Sequence, residues 1–216
     1  VSLPVSFPSF ARNNRYNDLA WYAQDTWRIT KRLTLNLGLR WEYYGVQHNA
    51  NPKLDSNFYY GSGSTFPEQI RNGTMQIAPN SPVGGLWESD KDNYAPRVGF
   101  AWDVFGNGKT SLRGGYGISY ERNFGNVTYN VIQNPPAYAV LNLEPTDIGQ
   151  STMPIYTDLA GPLGGTGSKA LPGTSTRNVS PNIQTGYAHT WSVSVEHQIM
   201  SNTVLSVEYT GSKGEK

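Results

Sequence analysis

The chain has 216 residues, with 17 Lys and Arg against 16 Asp and Glu, a formal net charge of +1. That balance, with no basic run interleaved with aromatics, excludes an electrostatic nucleic-acid surface, and zero cysteines exclude a disulfide scaffold and a thiolate metal site. Only 37% of residues are hydrophobic, whereas Gly (23), Pro (14), Tyr (14) and Trp (6) are plentiful, a mixture that predicts short aromatic-rich strands between many turns.

The opening VSLPVSFPSF carries no initiator Met and no signal peptide, so the chain reads as a segment of something longer. Strand signal begins at Leu19 to Ile29, and TKR joins it to Leu33 to Tyr43. Within RLTLNLGLRWEYYG, Leu33, Leu35, Leu37, Leu39, Trp41 and Tyr43 hold one parity, and Thr34, Asn36, Gly38, Arg40 and Glu42 hold the other. Strand side chains alternate between faces, so one face is apolar and one polar. About 50 loop-like residues follow, from 44 to 93. Next come Tyr94 to Val104, the turn FGNGK, and Thr110 to Arg122. A second long connection of about 65 residues, 123 to 187, leads to His189 to Ile199, the turn MSN, and Thr203 to Thr210. Gly, Asn and Ser in the short turns make each pair a hairpin.

No apolar run approaches the roughly 18 residues of a membrane helix, so any crossing must be by strands. Short turns at one end and long loops at the other match an outer-membrane barrel with periplasmic turns and extracellular loops. Aromatics agree. Trp21, Trp41 with Tyr43, Tyr94, Tyr120, Tyr187 with Trp191, and Tyr209 fall at the loop ends, while Trp27, Trp102 and Phe105 fall near the turns. Two such belts are what amphipathic rings form at two headgroup layers. The other parity carries Arg40, Glu42, Arg97, Asp103, Arg113, Glu121, Glu196 and Glu208 among Gly, Ser and Thr, which reads as a polar lumen wall. Asp25 alone conflicts, because it shares parity with Trp21 and Trp27; a bulge or a place at the turn-side rim would reconcile it. The expected fold is therefore all-β: an antiparallel transmembrane β-barrel segment of about six strands in three hairpins, incomplete as a barrel, with its two loops folded loosely at one end.

Three stretches carry a family resemblance: YAQDTWRITKRLTLNLGLRWE, NYAPRVGFAWDVFGNGKTSLRGGYGISYERN and HTWSVSVEHQIMSNTVLSVEYTGSKG. In that order they resemble barrel strands of TonB-dependent outer-membrane receptors, nearest the Oar-like group. The resemblance covers about a third of the chain, with the long loops unmatched. It implies a single barrel domain of about 22 strands, a plug domain in its lumen that this chain does not show, a TonB complex as partner, and uptake of a scarce extracellular ligand.

Sharper site readings compete with plainer ones. The lumen charges Arg40, Glu42, Arg97, Arg113, Glu121, Glu196 and Glu208 would contact a ligand or plug, or else pair with one another across strands. Loop rings Tyr59, Tyr60, Trp87, Tyr129, Tyr138 and Tyr156 would stack on a ligand, or pack the loops together. His48, His189 and His197 lack metal-ligand spacing, and the adjacent Glu196 and His197 point to opposite faces, so no metal or other cofactor is expected. GPLGGTGSK (161 to 169) interrupts the Gly-Lys pair of a phosphate loop, LPGTS (171 to 175) lacks the rest of a sortase signal, and the NGT, NVT and NVS triplets read as ordinary loop sequence. No triad or carboxylate-pair motif is present, so an enzyme is not expected. Uptake through a bacterial outer-membrane receptor is the leading function. Display of the long loops to other cells, proteins or glycans is the alternative, and a soluble all-β binding module is the third reading.

Overall fold

The computed structural model describes residues 11–123, 125–138 and 175–215. They form two units, each with its own internal contacts: a sheet unit of residues 17–45, 89–123 and 184–215, and a loop unit of residues 11–16, 46–88, 125–138 and 175–183.

The sheet unit holds six long strands: β2 (Asp18–Arg28), β3 (Leu33–Tyr44), β7 (Asn93–Asp103), β8 (Thr110–Glu121), β9 (Gly186–Met200) and β10 (Thr203–Glu215). Their order is β10-β9-β8-β7-β3-β2, so every neighbour in space is the next long strand in sequence, and every pairing is antiparallel. The sheet does not close; β2 and β10 are its edges. The predicted hairpins recur with similar bounds, except that β9 and β10 run longer. Gly211 to Glu215 stay paired with Trp191 to Tyr187, because GSKGE contains no proline or competing turn to stop the ladder.

Local chemistry sets the turns. Thr30 Oγ1 accepts from the N–H groups of Arg32 and Leu33, closing the β2–β3 turn. Between β7 and β8, Asp103 accepts from the N–H groups of Gly106 and Gly108 at 2.9 and 3.0 Å. Both glycines adopt positive φ, 74° and 72°, which L side chains resist.

Register then sorts the faces. Leu35 lies opposite Trp27 on one side and Phe100 on the other, Phe100 opposite Gly114, and Gly114 opposite Val193, which faces Tyr209. This apolar row is open: Trp27, Leu37, Leu39, Val98, Val193, Val207 and Tyr209 are all exposed. Two rings cover bare backbone on it. A Cβ on Gly114 would meet the Phe100 ring at 2.5 Å, and one on Gly211 the Trp191 ring at 2.5 Å. β2 pairs with β3 without any register shift from Asp18 to Arg28, so of the two readings of Asp25, a bulge or a place at the turn-side rim, the bulge is absent. Asp25 keeps the apolar parity, and its Oδ1 accepts from the Thr26 N–H at 2.8 Å.

The loop unit is more ordered than a loosely folded loop, in two respects. It has regular elements: β1 (Asn14–Arg15) pairs with β4 (His48–Asn49), β5 (Ser56–Tyr59) pairs with β6 (Thr74–Ile77), and α1 (Phe66–Arg71) and α2 (Asn126–Val131) are short helices. Thr65 and Glu68 form a capping box that starts α1. It also has a core of Leu86, Trp87, Val131 and Val179, with Val46, Val127 and Ile183 against it. Two fully buried amides pin distant chain segments together. Asn57 donates to the Val179 carbonyl and accepts from the Val179 N–H, at 2.8 and 2.9 Å. Asn134 does the same for Arg177, at 2.9 and 2.8 Å. Each amide stands in for a strand partner, satisfying backbone groups that burial would otherwise orphan.

Asp55 is 1% exposed. Burial raises its carboxyl above the usual carboxylate range, against the opposing pull of the Asn49 N–H at 2.6 Å and of Arg12 and His48. A carboxyl held high binds its proton more tightly when folded, so loop-unit stability falls as pH rises from the unfolded value, about 3.9, through the raised folded one. Asp55→Asn should flatten that dependence and slow amide exchange around residues 49–59 at neutral pH, as read by hydrogen-exchange mass spectrometry. The sheet makes a separate prediction. In lipid vesicles, Leu37→Arg should lower folding stability by about 2 to 4 kcal/mol in a urea titration, and Asn36→Arg by far less, because only the first enters hydrocarbon.

Candidate functional site: the polar face of the barrel wall

Arg40, Glu42, Arg97, Arg113, Glu121, Glu196 and Glu208 all fall on one face of the sheet. The register links them: Arg40 lies opposite Ala95, two residues from Arg97; Arg97 opposite Gly117; Arg113 opposite Ser194, which faces Glu208; and Glu196 opposite Ser111. This face bounds a concavity of about 970 Å³ whose lining includes Asn36, Gly38, Arg97, Gly115, Ser192 and Glu208.

The charges divide by partner. Arg40 Nε donates to Glu42 Oε1 at 2.8 Å, and the Tyr44 hydroxyl reaches the same oxygen at 3.2 Å. Arg113 Nη2 stands 3.2 Å from Glu196 Oε2. Asn93, buried beside this group, donates to the Glu42 carbonyl at 3.1 Å. Arg122, beyond the end of β8, pairs with Asp18 and lies over the Tyr44 ring. Arg113 and Glu196 therefore pair across neighbouring strands as the ladder reading expects, whereas Arg40 and Glu42 pair along one strand. Arg97, Glu121 and Glu208 make no ion pair among the described residues.

The loop rings separate as well. Trp87 lies in the loop unit's core and Tyr59 is buried with its hydroxyl 3.3 Å from the Gly85 carbonyl, so neither offers a face to a ligand. Each was a sequence candidate for stacking, and packing took both because a large ring releases the most water when buried. Tyr60 and Tyr129 stay exposed, Tyr60 in an edge contact with Phe58 and 5.6 Å from Phe66. Tyr138 is half-buried. Tyr156 and the GPLGGTGSK segment lie outside the described residues, as does all of LPGTS but its last residue.

On the outer face, Trp21 stacks with Trp41, and Trp41 with Tyr43, both at 6.3 Å between ring centres. Trp41 lies opposite both Trp21 and Tyr94, and its Nε1 donates to the Lys91 carbonyl at 2.7 Å; Tyr120 lies opposite Tyr187. Trp102 stands opposite Leu33 and Leu112. Tyr209 is a correction: it sits opposite Val193 in mid-strand rather than at the loop end, because β10 continues six residues beyond it.

Sequence reading missed one cluster on this face. Ile118 and Lys213 flank His189 in register, and Tyr187 faces Glu215. Tyr116 Oη stands 2.7 Å from His189 Nδ1, Tyr187 donates to Glu215 Oε2 at 2.9 Å, and Lys213 Nζ donates to Glu215 Oε1 at 2.6 Å. Tyr187, His189, Lys213 and Glu215 keep the apolar parity beyond Trp191 and Gly211, where strand length brings them to the edge of the hydrocarbon layer. The legible signal was the extra length of β10, which SKGE disguised as a tail.

A wall with one open apolar face, one face of glycines, hydroxyls and charges, and aromatics on the apolar side is what a membrane barrel requires. A profile of the outer membrane beta barrel domain matches residues 3–216. The chain belongs to the outer membrane beta barrel domain family. Its place is the bacterial outer membrane. No curated protein and no solved structure matches the chain.

For this outer-membrane barrel domain, lipid contact can be read tryptophan by tryptophan. In single-tryptophan variants reconstituted with brominated phospholipids, Trp21, Trp27, Trp102 and Trp191 should be quenched. Trp87, enclosed by protein, should keep its emission.

Proposed function

We propose that this barrel domain is part of a TonB-dependent receptor of the Oar-like group, a non-catalytic transporter that takes up a scarce extracellular ligand. The observation that carries the reading is the inner face: a concavity whose lining includes glycines, hydroxyls and amides and two charged residues, Arg97 and Glu208, neither in an ion pair among the described residues, offers a polar solute hydrogen-bond partners. The hairpin motifs add their resemblance to that receptor group. In that reading a plug domain of the parent protein occupies the lumen until TonB draws on it.

Display is the second reading, favoured by one observation: Tyr60 and Phe66 expose adjoining rings on the loop unit. Two measurements on the full-length gene product in its native outer membrane divide these readings. For a receptor, formaldehyde treatment links the protein to TonB. Absence of that link, together with adherence lost in the double variant Tyr60→Ser, Phe66→Ser, transfers the assignment to display.

A further inference from the structure

Three arginines project from the middle of the polar wall, and two are neutralised by a carboxylate: Arg40 by Glu42 at 2.8 Å and Arg113 by Glu196 at 3.2 Å. Arg97 has no carboxylate and no side-chain hydrogen-bond partner among the described residues. Its surroundings are as unusual as its charge state. The residue opposite it on β3 is Gly38 and the residue opposite it on β8 is Gly117, so it is flanked on both sides by bare backbone. A Cβ at Gly117 would come within 3.4 Å of Arg97 Cγ, and one at Gly38 within 3.7 Å of its Cβ. Any larger side chain at either position would crowd the arginine stem or supply it with a neighbour. The glycines do neither.

We infer that Arg97 is the docking point in the barrel lumen for a solute bearing a carboxylate or phosphate group. A guanidinium presents five donors in a planar fork that matches the two oxygens of such a group. A fork already engaged by a wall carboxylate would be a strut, whereas Arg97 keeps its donors for an incoming anion. Its neighbours in the concavity are donors and acceptors without charge, Asn36, Thr190, Ser192 and Ser212 among them, which hold the rest of a polar solute without competing for the guanidinium. Glu208 lines the same concavity, but it lies three strands across from Arg97 and four residues along, in the row of Arg113, about 14 Å across the sheet and about 13 Å along it at ordinary strand geometry. It repels a second anionic group at that distance, so the preferred solute carries its negative charge at one end.

This assignment rests on the transport reading and names the chemical class of its cargo. Its test is independent of energy coupling. The full-length protein, folded in outer-membrane vesicles from strains with and without TonB, is treated with phenylglyoxal, and modified arginines are mapped by mass spectrometry. Arg97 should react several-fold faster than Arg40 and Arg113, whose guanidinium groups are engaged by carboxylates. Inorganic phosphate, at an ionic strength matched with sodium chloride, should slow Arg97 selectively, and neutral maltose should not. The pattern should be the same in both strains, so loss of the TonB link alone would sink the receptor reading while leaving this result standing. Two outcomes overturn the inference: Arg97 no faster than the paired arginines, which would mean that a carboxylate elsewhere in the parent protein covers it, or equal protection by phosphate and by chloride alone.

Discussion

Hydrocarbon offers no partner to a peptide N–H or C=O, and each group left unpaired there costs several kcal/mol. A strand that crosses lipid must therefore pair along its length with neighbours on both sides. Here β3, β7, β8 and β9 find a partner on each side by the simplest route, a meander in which each long strand pairs with the next through five antiparallel ladders, while the edge strands β2 and β10 have one partner each. The one interruption, between Thr203 and Val204, falls beside a turn. Continuity matters because side-chain period is two. A one-residue slip anywhere would carry the leucines inward and Arg40 into lipid, so the ladder and the alternation enforce each other.

That same constraint explains where polar chemistry collects. Once every strand has given one parity to lipid, the other parity has no core to fill, and small or charged residues are tolerated there. Gly38, Gly99, Gly115 and Gly117 lie across three neighbouring strands on this face. Gly38 and Gly117 leave room for the Arg97 side chain, whereas the glycines of the outer face, Gly114 and Gly211, are covered by aromatic rings. Polar groups that do keep the outward parity are tied to one another. His189 bonds with Tyr116, Glu215 accepts from Tyr187 and Lys213, and Asp25 bonds with backbone, which lowers the cost of standing near lipid.

The loop unit solves the opposite problem. With only a small apolar core, it holds separate chain segments by side-chain amides, Asn57 to Val179 and Asn134 to Arg177, and it buries Asp55 at the cost of a raised carboxyl. Asparagine suits this role because its amide carries one donor and one acceptor side by side, the same pair that a backbone offers. Nothing in the local sequence distinguishes Asn57 or Asn134 from the many loop asparagines around them.

The period-two pattern of RLTLNLGLRWEYYG and its partners was enough, by itself, to settle strand identity, hairpin pairing and the sorting of Arg40, Arg97, Arg113, Glu196 and Glu208 onto one face, because alternation is a local property of an extended chain. Tertiary structure alone decided which arginines are paired, which loop rings are buried and where β10 ends. Those outcomes depend on contacts between residues far apart in the chain, as with Trp87 against Val131 and Val179, or Lys213 and Glu215 against the start of β9. A pattern read along one segment carries the direction of each side chain; what that side chain meets is set by the neighbours that folding delivers.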